Sequence, residues 1–154
     1  MRLQVILGTK IFCLIYANIA QTLAEGIKIS AQDKGLLLTI IELGGYPDFR
    51  SIYKNAGYEV ESVTSMRNAT RLLKKVTPDI IVAEFNFQSD FRDRTSTLET
   101  LMAVVQRLPE TRVIVFYEKE YAHQFEKLSN RFPLHATLSF PIDEEKLKEA
   151  IEAV

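Results

Sequence analysis

The stretch Pro78-Asp79-Ile80-Ile81-Val82-Ala83-Glu84-Phe85-Asn86 decides the fold. A turn opens it. Four apolar residues follow without interruption, and an acid stands near the far end. A short run that is apolar at every position suits a strand covered on both faces, as a central strand of a parallel sheet is. Ile80 to Phe85 therefore reads as strand three. In an open α/β sheet, ligands and chemistry collect beyond the carboxyl ends of the strands. The residue placed there is Glu84.

Apolar runs and helix-spaced residues alternate on both sides of this strand, from residue 35 onward. Leu36 to Leu43, broken only by Thr39 and Glu42, predicts strand one. Gly44-Gly45 and Pro47 punctuate it. Pro47 suits a first helical turn, and Phe49, Ile52 and Tyr53 predict a short helix that Gly57 ends. Glu59 to Val63 predicts strand two, towards an edge. Thr64 or Ser65 caps the next helix, whose apolar face is Met66, Ala69, Leu72, Leu73 and Val76 and whose stop is Pro78. A long loop runs from Asn86 to Thr95. Ser96-Thr97-Leu98-Glu99 fits a capping box and opens a helix with Leu98, Leu101, Met102, Val105 and Leu108 as its buried stripe. Val113 to Tyr117 predicts strand four. Tyr121, Phe125 and Leu128 mark a fourth helix, and Ala136 to Phe140 a weak fifth strand. Asp143 caps the last helix, with Glu144 and Glu145 in the favourable first turn. Five βα repeats predict an α/β, flavodoxin-like, doubly wound parallel sheet of strand order 2-1-3-4-5.

Bulk properties narrow the function classes. At 154 residues the chain has room for one domain with a sizeable core. A formal net charge of -1 gives no basic footprint, so no nucleic-acid partner is expected. Cys13 is the only cysteine, which excludes an internal disulfide and a cysteine-rich zinc site. His123 and His135 lack metal-ligand spacing. Neither a metal nor a cofactor is expected.

Residues 35–154 resemble the receiver domain of bacterial two-component response regulators, the CheY-like fold. The resemblance is carried by Gly57-Tyr58-Glu59-Val60, Ala69, Leu72-Leu73 and Pro78-Asp79-Ile80-Ile81-Val82, which fall at the family's spacing without gaps, by Val113-Ile114-Val115, which matches strand four, and by Phe140-Pro141-Ile142-Asp143, which falls at the family's Lys-Pro pair and the cap of the last helix. It implies phosphoryl transfer to an Asp on strand three. It also implies magnesium held by that Asp and an acidic pair after strand one, a Lys that pairs with the phosphate, and a Ser or Thr switch. Magnesium wants carboxylate oxygens in near-octahedral array, and the developing phosphate charge wants cations around it.

This chain departs from that pattern at each point. The acceptor position carries Glu84. The acidic pocket is reduced to Glu42, with Asp48 one turn further on, on the helix. The switch position carries Tyr117 and the lysine position Phe140. Glu84 reads as a fixed mimic of a phosphorylated Asp, as a residual metal ligand or as a solvated strand-end acid. Phe140 reads as a filler of the emptied phosphate pocket or as part of a partner face with Tyr121. In the long loop, Phe91 with Arg92 and Arg94 reads as a partner anchor or as solvated chain.

Residues 1–34 stand apart from the repeat pattern. Ile11, Leu14, Ile15, Ile19 and Leu23 share one helical face, which predicts an N-terminal docking helix followed by a linker. Residues 1–24 also carry features of a secretory signal or a membrane anchor, the minority reading, in which the protein is exported or tethered. The expectation is a cytoplasmic, non-enzymatic pseudo-receiver that meets a protein partner, a second copy of the chain included, with membrane binding not expected. Two alternatives stay open: a phosphorelay receiver using a non-standard acidic site, and an enzyme on the same fold. The latter lacks both a glycine-rich phosphate loop and a nucleophile–base pair.

Overall fold

The structure, a computed structural model, describes residues 35–87 and 97–154. Along the chain these form β1 (Gly35–Ile40), α1 (Arg50–Asn55), β2 (Tyr58–Val63), α2 (Met66–Leu72), β3 (Ile80–Phe85), α3 (Leu98–Val105), β4 (Arg112–Tyr117), a 3₁₀ turn (Lys119–Tyr121), α4 (Ala122–Ser129), β5 (Ala136–Ser139) and α5 (Glu144–Glu152). The strands make one five-stranded sheet in the order β2-β1-β3-β4-β5, and every pairing is parallel. This is the expected doubly wound architecture.

β3 lies at the centre, and all six of its residues are buried. Successive side chains of a strand point to opposite faces, and here both faces are covered. Ile81, Ala83 and Phe85 pack with Ala69, Leu101 and Phe125, contributed by α2, α3 and α4. Ile80 and Val82 pack with Tyr53, Leu147 and Ile151, contributed by α1 and α5. Burying each such aliphatic side chain is worth about 1.5–3 kcal/mol, so the unbroken apolar run is what holds β3 in the middle.

Where β1 enters the sheet, Gly35 has a φ of +132°. The Asp79 carboxylate accepts a hydrogen bond from the Leu36 N–H at 2.8 Å, and a Cβ on residue 35 would lie 1.9 Å from Asp79 Oδ2. Only glycine fits both the backbone angle and the close approach.

Several boundaries differ from expectation. β1 ends at Ile40, not Leu43: the Ile41 N–H still reaches the Val63 carbonyl, but those of Glu42 and Leu43 turn to a side chain described below. α1 begins at Arg50, leaving Pro47 and Asp48 outside it. α2 stops at Leu72, well before Pro78, and the Leu72 carbonyl then closes a turn by accepting from the N–H groups of Lys75 and Val76. Ser65, not Thr64, caps α2, its Oγ accepting from the Asn68 N–H at 3.3 Å. Asp143 caps α5 as expected, accepting from the N–H groups of Glu145 and Lys146.

Candidate functional site

Glu84 is the last but one residue of β3 and is only 3% exposed. Its Oε1 accepts from the backbone N–H of Glu42 at 2.6 Å, from that of Leu43, and from Asn86 Nδ2 at 2.7 Å. Its Oε2 is buried with no hydrogen-bond partner among the described residues. The turn that aims these N–H groups is made by Gly44 and Gly45, with φ of +77° and +87°, angles that a side chain disfavours. The chain after β1 thus folds over the Glu84 carboxylate, and Glu84 is not a solvated strand-end acid.

Glu42 points elsewhere. Its Oε1 accepts from the Met66 N–H at 2.6 Å and its Oε2 from the Thr97 hydroxyl at 2.9 Å. One carboxylate therefore joins the end of β1 to the first turns of α2 and α3. With Ser65, it satisfies N–H groups that a helix start leaves without intrahelical partners. Thr97 occupies the N-cap position of α3, but its side chain makes no cap bond there; Ser96 lies outside the described residues.

Asp48 is not gathered into this site. It is exposed and paired with Arg50, whose Nη2 lies 2.6 Å from Oδ2 and whose Nε reaches both oxygens at 2.9 and 3.0 Å. Hydrogen bonds from the Arg50 side chain and backbone hold its carboxyl down to about 2. It stands ahead of α1 instead of on it, which corrects the acidic pocket inferred from the resemblance: Arg50, two residues on, takes the charge.

Tyr117 lies opposite Phe85 in the sheet, whereas Phe116 lies opposite Glu84. The Tyr117 ring stacks on Phe125 of α4 at 4.5 Å between centroids. The Phe140 N–H donates to the Tyr117 carbonyl at 2.8 Å, and its ring remains 39% exposed. That ring meets Tyr46 edge-on at 5.7 Å, and Tyr46 lies 5.4 Å from Phe116. Phe140 therefore leans on a neighbouring aromatic and remains partly open to solvent. Burial, with the charges of Glu84 and Glu118, pushes the Tyr46 phenol up to about 12. Tyr121, in the 3₁₀ turn, is half-buried, its ring 5.5 Å from Phe87. Phe91, Arg92 and Arg94 lie outside the described residues.

Sequence reasoning missed Tyr46, Asn86 and Thr97. The available signals were an aromatic directly after Gly44-Gly45 and an amide directly after the strand that bears Glu84.

Magnesium does not fit the donor set. One oxygen of Glu84 accepts three hydrogen bonds, both oxygens of Glu42 are engaged, and the free Glu84 Oε2 alone cannot supply the several oxygens magnesium needs. No group of three or more His, Cys, Asp or Glu among the described residues converges as metal ligands.

The architecture is that of CheY-like receiver domains. The chain is similar to a response regulator receiver domain from Clostridium thermocellum, with 14% identity over 77% of this chain and 92% of that one and a TM-score of 0.60. A CheY-like receiver domain from Methanospirillum hungatei matches at 15% identity over 77% and 91%, with a TM-score of 0.59. The signal receiver domain of a putative Luxo repressor protein from Vibrio parahaemolyticus matches at 18% identity over 77% and 88%, with a TM-score of 0.57. No family model and no curated protein matches the chain. At these identities the likeness is one of fold.

Proposed function

We propose that residues 35–154 form a receiver-like signalling domain that acts by binding a protein partner, without phosphoryl transfer and without enzymatic activity. The observation that carries this reading is the engagement of Glu84 Oε1 by the Glu42 and Leu43 N–H groups and by Asn86. These donors hold the carboxylate in place by Oε1, and at 3% exposure its free oxygen is buried away from an incoming phosphoryl donor. The chain also offers an aromatic ring at Phe140 where the reaction needs a cation. The partner face includes Tyr121 and, in the loop beyond β3, Phe91, Arg92 and Arg94. The partner is a protein, a second copy of this chain included, met in the cytoplasm. No helix among the described residues is long and apolar enough to cross a membrane.

The test is incubation of the full chain with acetyl phosphate and magnesium, followed by intact mass measurement in acid. The expected result is no phosphoryl adduct. A stoichiometric adduct at Glu84 or Asp48 would overturn the proposal.

A further inference from the structure

We propose, independently of the reading above, that the pocket between the end of β4, β5 and the start of α5 is a binding site for a phosphate group. It encloses about 300 Å³ and is lined by Tyr117, Lys119, Thr137, Ser139, Asp143 and Lys146, among others. Side-chain length explains its shape. Thr137 and Ser139 are two apart on β5, share one face of the strand, and are short. Lys119 and Lys146 are long and enter from two other elements, the 3₁₀ turn and the first turn of α5.

The charge balance favours an anion. No ion pair holds either ammonium group among the described residues. Of the acids beside them in sequence, Glu120 is hydrogen-bonded to Tyr121 and Asp143 belongs to the lining itself. Asp143 Oδ1 accepts from the N–H groups of Glu145 and Lys146 at 3.1 and 3.3 Å, so its charge serves the helix start. The lining thus carries two lysines and the hydroxyl-bearing Thr137, Ser139 and Tyr117 against the single carboxylate of Asp143. Ammonium groups are donors only, and hydroxyls can donate. A doubly charged ligand whose oxygens all accept is their complement, and hydrogen bonds to such charged groups are the strong ones. The alternation of β4 sets this pocket apart from Glu84, which lies opposite Phe116, whereas the pocket uses Tyr117.

The test is a titration of the full chain with inorganic phosphate at constant ionic strength, followed in nitrogen–proton correlation spectra. Saturable shifts are expected at the Thr137, Ser139 and Lys146 amides. The double variant Lys119→Met, Lys146→Met should bind at least about tenfold more weakly, the scale of losing one charge-assisted hydrogen bond. Both substituted side chains are exposed, so its spectrum should otherwise be unchanged. Lys127→Met, an exposed α4 position that removes the same kind of charge, should bind as the parent does. Shifts that never saturate, or an equal loss in the Lys127→Met control, would overturn the site. Equal binding of malonate would overturn its assignment to phosphate.

Discussion

The Thr97 hydroxyl donates to Glu42 Oε2 at 2.9 Å, across 55 residues of sequence. The same carboxylate receives the first N–H of α2 through its other oxygen. Two helix starts and one strand end therefore depend on a single side chain.

Glu42→Ala should lower stability by roughly 2–3 kcal/mol in urea unfolding, the cost of leaving part-buried donors unpaired. Glu42→Gln should cost about half as much. Its carbonyl still accepts from Met66, and its amide can donate to the Thr97 oxygen. Faster amide exchange at Met66 in the alanine variant checks the mechanism, and equal stability of all three proteins would contradict it.

Glu84→Asp supplies the residue type that receiver chemistry uses, but shortens the reach by one methylene. The backbone N–H groups of Glu42 and Leu43 would lose their acceptor. The variant should be less stable than the parent by about 2 kcal/mol or more, and should still form no adduct with acetyl phosphate because Phe140 and Tyr117 are unchanged. Efficient labelling would show that the aromatic ring at residue 140 is no obstacle.

Alkaline pH should expose Tyr46. Its folded-state value is raised from 10.0 to about 12, chiefly by burial. A group raised on folding contributes stability that is complete below its unfolded value. Above about pH 10 the unfolded chain ionises while the folded one does not, so this contribution falls and is gone above about pH 12. Tyr46→Phe should flatten that part of the curve when urea unfolding is repeated at stepped pH. Tyr53 and Tyr58 are also raised, by burial first, so some alkaline loss should remain in the variant.

Phe91→Ala separates the two readings of the loop. A partner anchor should leave the melting temperature nearly unchanged and cost about 2 kcal/mol or more in binding. A ring folded back on its own domain should instead cost about 3 kcal/mol in stability. Both quantities are measured on one mutant, and no change in either would remove Phe91 from the partner face.

The legible parts of the fold were those written locally. Ile80 to Phe85 declares its burial in six consecutive residues, and Asp143 caps a helix by reaching N–H groups two and three positions on. The end of β1 was not legible, because Glu42 and Leu43 leave the strand for a carboxylate more than forty positions away. Asp48 was misplaced for a different reason. Its spacing suits a helix, but the nearby Arg50 both claims its charge and begins the helix after it. At the site, Glu84 was found from its position on β3. Its donors were not, since a backbone N–H has no signature in sequence. Tyr46 lacks periodicity altogether, and its role depends on Phe116 of β4 and on Phe140, just after β5, arriving from far along the chain.

β3 is paired on both sides, with β1 ahead of it and β4 after it. Order of synthesis matters for such a sheet. When β1 and β2 have left the ribosome, the edge of β1 that Ile80 to Ala83 will occupy is still bare. The N-terminal half can pair with itself but cannot cover Leu37 and Leu38, which are fully buried in the finished domain. A nascent chain halted before Pro78 therefore presents an open strand edge, the feature that invites pairing with other chains. The six residues that identify the fold are also those whose arrival covers that edge of β1, leaving their own far edge to wait for β4.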